Sequence, residues 1–248
     1  SQTVYYYEKT YTVSCNANGG SGAPSSQTTS HTKTLTLSST KPTRTGYDFK
    51  GWSTSSSATS ASYSAGGSFT TNANTTLYAV WAKSKYTISY NANGGSGAPS
   101  SQTKTYGLDL TLSSTKPTRS GYTFKGWGTS SSSTTASYQP GGKYTSNSSA
   151  TLYAVWQKDT PTTYTVSYNA NGGSGAPSSQ TKTHGVTLTL SSTTPTRSGY
   201  TFKGWGTSSS STSASYSAGG SYTNNASITL YAVWACNHSS TTTGWVTG

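Results

Sequence analysis

Three lysines each stand two residues before a tryptophan: Lys50 and Trp52, Lys125 and Trp127, Lys203 and Trp205. Residues two apart on an extended strand project from the same face. Each pair would therefore set an ammonium beside an indole, a platform suited to a sugar ring or an anion. The competing reading puts the indole in the core, with the lysine stem covering it and the charge carried out to water. Leu and Ile are scarce, so the aromatic side chains are needed inside, which favours the core reading. Arg44, Arg119 and Arg197 also recur, each three residues before a tyrosine.

Other residue types offer less chemistry. Cys15 and Cys236 lie near opposite ends, and no Cys-x-x-Cys pair suggests zinc or thioredoxin-type redox. His31, His184 and His238 do not form a set; the position of His184 is Tyr106 in the preceding copy, so it needs no ligand or base. Four acidic residues are too few for carboxylate pairs, a calcium loop or an acidic metal cluster. No Gly-x-Ser-x-Gly elbow occurs. The glycine-rich NGGSGAPSS lacks the Gly-Lys-Ser/Thr and the helix of a phosphate loop, and reads as a turn. The sequence therefore predicts no catalytic residue, no cofactor, no metal and no enzyme. Asn147, Asn225 and Asn237 stand in glycosylation sequons, and the Ser/Thr runs 53–60, 128–135 and 206–213 could carry O-linked sugar. Solvated loop is the simpler reading, and Asn72, the counterpart of Asn147, lacks a sequon.

Sixteen Lys and Arg give a net charge of +12. They are spread along the chain without a basic run, which argues against nucleic acid and leaves a surface glycan or an anionic polymer as partner. No apolar stretch approaches the ~20 residues of a membrane span, and no signal peptide is read. A chain starting at Ser1 is expected to be a processed form or a fragment. Only 29% of residues are apolar and 8% charged, yet there are 20 Tyr and 7 Trp. Disordered chains are poor in aromatics; this one is expected to fold around a thin β core.

The elements that must position these residues are repeated. Residues 11–81, 86–156 and 164–234 align without a gap, 71 residues each, and the last two differ at 12 positions. That length suffices for a small domain, so the expectation is three modules joined as a beaded rod, with a strand segment over 1–10 and a tail over 235–248. Inside a module the period is two: Tyr164-Thr-Val-Ser-Tyr168 alternates as a half-buried strand. Val186–Leu190, Tyr200–Trp205 and Leu230–Trp234 read as further strands, with a hairpin joining Tyr216 to Tyr222 through Gly219-Gly220. TVYYYE at 3–8 is similar to the closing TLYAVW and reads as an orphan strand.

The ordered blocks Y-x-V-x-Y-N-x-NGG, PTR-x-GYTF-x-GW, GG-x-Y-T and TLYAVW resemble the Listeria–Bacteroides repeat, the internalin-type B-repeat. The resemblance covers all three modules. It implies a mainly β, β-grasp-like module found in tandem in extracellular adhesins and surface proteins of bacteria, and in some phage proteins. It also implies a structural spacer with no catalytic residues. The expectation is a bacterial-surface or virion-surface stalk, fibre or adhesive segment; the alternative is a glycan-binding array on the Lys–Trp pairs. The ends suggest a further device. Cys15 and Cys236, far apart in a rod, could bond head to tail between chains and give a homopolymer, or remain two unrelated free thiols.

Overall fold

The computed structural model describes residues 1–238, so the tail expected over 235–248 lies outside the described residues from 239 onward. The chain divides into two compact units, Ser1–Asp159 and Thr160–Gly248. The first carries two modules and the second carries one.

Module 1 consists of β1 (Thr10–Asn16), β2 (Gln27–Ser30), β3 (Leu35–Thr36), β4 (Tyr47–Ser53), β5 (Ser68–Phe69) and β6 (Thr75–Lys83). Module 2 repeats the series as β7 (Lys85–Asn91), β8 (Gln102–Thr105), β9 (Leu110–Thr111), β10 (Tyr122–Gly128), β11 (Lys143–Tyr144) and β12 (Ala150–Lys158). Module 3 does so as β13 (Thr163–Asn169), β14 (Gln180–Thr183), β15 (Leu188–Thr189), β16 (Tyr200–Gly206), β17 (Ser221–Tyr222) and β18 (Ile228–Cys236). There is no helix among the described residues.

Each module has a four-stranded sheet and a separate two-stranded pair. In module 1 the order is β2-β1-β6-β4, with β3 beside β5. The first and last strands lie parallel at the centre, and the flanking pairs are antiparallel. This is the strand order of a β-grasp. Burial follows the alternation: Val13 on β1 and Leu77 on β6 face inward with Ala79 and Trp52. Leu37 and Phe69, at the small pair, close the core from the other side. Module 2 uses Ile88, Leu112, Trp127, Tyr144, Leu152 and Ala154 in the same places; module 3 uses Val166, Leu190, Trp205, Tyr222, Leu230 and Ala232.

Three local expectations need correction. Residues 3–8 form no strand; Tyr6 and Tyr7 are more than 90% exposed, and the segment meets the module through the Glu8–Lys33 ion pair at 3.4 Å and, just after it, His31 N–H donating to Lys9 O at 2.8 Å. The strand expected over Val186–Leu190 shrinks to Leu188–Thr189, with Val186 left in an exposed turn. Tyr216 and Tyr222 are not hairpin partners either. Tyr216 bridges to Trp205 and Tyr222 pairs with Leu188, while the intervening turn is held by Gly219 N–H donating to Ser191 O and Leu190 N–H donating to Gly220 O.

Within the first unit, modules 1 and 2 share a one-residue joint. Ser84 N–H donates to Gly46 O, and Ser84 O accepts from Tyr106 N–H, both at 2.9 Å. Ser84 Oγ donates to Asp48 at 2.7 Å. The Tyr106 ring lies over Gly46, where any β-carbon would come within 2.2 Å of it.

Candidate functional site

The Lys–Trp pairs are split by a β-bulge. Along β4, Phe49 faces Trp81 and Gly51 faces Val80, so Lys50 is the extra residue. Phe49 and Trp52 thus share the inner face, with ring centroids 5.0 Å apart. Lys50 is exposed outside. The glycine fixes this geometry: Gly51 has φ +127°, and a β-carbon there would sit 2.5 Å from Tyr63 O. The same shift occurs at Gly126 and Gly204. Trp52, Trp127 and Trp205 are at most 1% exposed, while Lys125 and Lys203, like Lys50, face solvent. None of these three indoles offers an open face to a sugar, because the strand does not stay extended through the glycine. The glycine between Lys and Trp was the sequence signal for this break.

Cys15 is half-buried against the module 1 core, and burial pushes its thiol above the usual range. Cys236 is exposed at the end of β18. Both are free thiols. In the other copies the Cys15 position holds Tyr90 and Tyr168, whose hydroxyls donate to Gln102 and Gln180 and accept from Ser113 and Ser191 N–H at 3.2 Å.

Sequence reasoning missed two buried cations. Lys104 and Lys182 are at most 1% exposed. Lys104 Nζ donates to Thr105 O and Asn147 Oδ1, both at 2.9 Å; Lys182 Nζ does so to Thr183 O at 2.8 Å and Asn225 Oδ1 at 3.1 Å. The same asparagine oxygens accept from Gly107 and Gly185 N–H. Asn72 plays that part for Thr32 N–H in module 1. The sequon asparagines thus share a turn-bracing role that needs no sequon. Asn237 accepts from Thr201 at 2.6 Å.

The Asn-Gly-Gly turn does more than reverse the chain. Asn18 sits at φ 49°, and its Nδ2 donates to Ser56 O and Ala79 O at 2.9 Å. This clamps the serine-rich loop to β6. Asn93 and Asn171 repeat the clamp.

Beside that turn lies a half-buried arginine in each module. Arg44 Cζ is 3.8 Å from the Tyr47 ring centroid; Arg119 and Arg197 sit 3.7 and 3.8 Å from Tyr122 and Tyr200. In module 1 a groove of about 960 Å³ opens here, lined in part by Ser21, Lys41, Thr43, Arg44, Phe49 and Trp81. The histidines stay apart from it: His31 and His184 pair with Tyr11 and Tyr164 hydroxyls. Among the described residues no His, Cys, Asp or Glu cluster could hold a metal.

Known proteins supply the context for this architecture. A protein of Evansella cellulosilytica named "Putative membrane protein" is 32% identical over 233 residues, which is 92% of this chain and 33% of that protein. Another from the same organism, "Putative Gly-rich membrane protein", is 34% identical over 139 residues, covering 52% of this chain and 16% of its own length. The chain thus spans a third or less of these relatives. No helix among the described residues is long and apolar enough to cross a membrane. A solved structure of streptococcal high identity repeats in tandem (SHIRT) domains 3–4 from a cell surface protein aligns with TM-score 0.32 and 16% identity, over 60% of this chain and 96% of its own. The family model of the Listeria-Bacteroides repeat domain matches residues 11–80, 86–155 and 164–233. Those three matches take in most of the chain, and the chain belongs to the Listeria–Bacteroides repeat family.

Proposed function

We propose that the chain is a non-catalytic spacer segment of a larger bacterial surface protein, in which repeated modules set reach. The observation that carries this reading is the distribution of differences between copies. Modules 2 and 3 differ at 12 positions, and in no copy do the substitutions gather a set of reactive side chains. Duplication of near-identical modules serves length or multivalency rather than a new pocket. The matched relatives, named as membrane proteins, support a place at the cell envelope. An adhesive role and head-to-tail assembly are finer readings. For assembly through Cys15 and Cys236, the half-buried Cys15 would have to leave its packing against the core.

The test is accessibility and length on intact cells that display the chain in its native context. Protease should cleave an engineered site at Thr160-Pro161 without lysis. Deleting residues 86–163 should shorten the projection by one module while the remainder stays folded. Protection of the engineered site until lysis would overturn the surface reading.

A further inference from the structure

Arg44, Arg119 and Arg197 are held in a way that a merely solvated arginine is not. One face of each guanidinium lies on a tyrosine ring at 3.7–3.8 Å. The other face lies against a glycine of the Asn-Gly-Gly turn. A β-carbon on Gly19, Gly94 or Gly172 would stand 3.2–3.3 Å from Cζ and 3.5 Å from both Nε and Nη1. Those near-equal distances place the glycine over the guanidinium plane, opposite the ring. The turn bearing the arginine is also pinned: Ser21 and Thr43 exchange backbone hydrogen bonds at 2.9 Å, and Tyr47 N–H returns to Arg44 O at 3.0 Å. Yet among the described residues the guanidinium edges have no hydrogen-bond or ion-pair partner. Among the described residues the one ion pair is Lys33 with Glu8, and none of the side-chain hydrogen bonds found there involves these three arginines.

We infer that each Gly–Arg–Tyr sandwich is a binding site for the carboxylate of an acidic polysaccharide. A planar fork locked on both faces offers parallel N–H donors to an oxyanion with little rotamer entropy left to lose. In module 1 the adjoining groove supplies what a sugar ring uses: the Ser21 and Thr43 surfaces, the partly open edges of Phe49 and Trp81, and a second cation in Lys41. The cations come one or two per module, at the repeat period. In module 1 the hydroxyl-bearing and aromatic lining beside the arginine favours a carboxylate carried on a sugar over a bare phosphate. Three linked sites give avidity that one weak site lacks. Lys41 and Lys116 become Thr194 in module 3, so its site is the weakest of the three. The inference is separate from the spacer reading, which would stand without any ligand.

The test uses the full chain, with polygalacturonate as probe, neutral dextran and duplex DNA as comparators, and one fixed salt concentration. Arg44→Gln, Arg119→Gln and Arg197→Gln together should weaken polygalacturonate binding by about tenfold or more. Lys50→Gln, Lys125→Gln and Lys203→Gln remove the same charge from the exposed bulges and should weaken it by no more than about threefold. An all-lysine set at the three arginine positions keeps the charge and loses the fork; it should resemble the glutamine set, and it serves if the glutamine set melts early. Equal losses from the arginine and lysine sets would overturn the inference as general charge attraction. So would the absence of binding to polygalacturonate, or DNA binding as tight and as sensitive to the arginines.

Discussion

Modules 1 and 3 share strand order, register and the lysine bulge before the core tryptophan, but they are braced differently inside. Module 3 fills one slot with Tyr168, whose hydroxyl ties β13 to Gln180 and Ser191; module 1 has the shorter Cys15 there. Module 3 threads Lys182 through the interior to Asn225; module 1 has Thr29. Tyr222 donates to Ala226 O at 2.7 Å, whereas Phe69 has no hydroxyl. Gly185 takes φ +74° without cost, while its counterpart Thr32 is held at φ 62°, a left-handed conformation that a β-branched residue resists. Module 2 matches module 3 at all four places. The lesson is that the repeat's fold is set by its alternating apolar face and bulge, and its stability margin by a few long polar side chains added to that frame. Module 1 keeps the frame and lacks most of the braces.

The largest effect should come from the shared frame. Trp205→Ala should cost module 3 about 3–5 kcal/mol, and Trp52→Ala should unfold module 1 outright, as followed by module-resolved hydrogen exchange. Transplanting the module 1 residue comes next. Tyr168→Cys should cost about 2 kcal/mol, from lost ring burial and the orphaned Gln180 and Ser191 groups; Cys15→Tyr should return part of that to module 1. Lys182→Thr should cost about 1–2 kcal/mol by leaving Asn225 Oδ1 and Thr183 O underused. Smaller still, Thr32→Gly should stabilise module 1 by about 1 kcal/mol through relief of strain. An unchanged melt after the two transplants would mean the braces are ornaments. The thiols give an independent check on packing. The Cys15 thiol is raised by burial, so less of it is thiolate at any pH below its pKa. Iodoacetamide at pH 8 should therefore modify the exposed Cys236 first, with Cys15 catching up as pH rises past 9.

Much of this was legible in the residues themselves. Alternation in Tyr-Thr-Val-Ser-Tyr and the gap-free repeat give the strands and the module period, and the need to bury aromatics places the tryptophans. Register through Lys-Gly-Trp was not legible from period-two reasoning, since the bulge shifts the face by one residue. Gln180–Thr183 looks like loop because its polar side chains hide an edge strand paired with β13. Lys182 gave no hint of burial, as its partner Asn225 lies 43 residues away and only the folded sheet brings them together. The arginine sandwich has the same character: Gly172 and Arg197 are ordinary turn residues until the chain stacks them.

Hydrogen exchange of the intact chain tests the difference between modules most directly. The comparison is between core amides at matched positions: Val13 and Leu77 in module 1, Ile88 and Leu152 in module 2, Val166 and Leu230 in module 3. Protection should be lowest in module 1, by at least tenfold, while modules 2 and 3 agree closely. Equal protection in all three, or a module 1 more protected than module 3, would contradict the claim that the buried tyrosines and lysines set the margin.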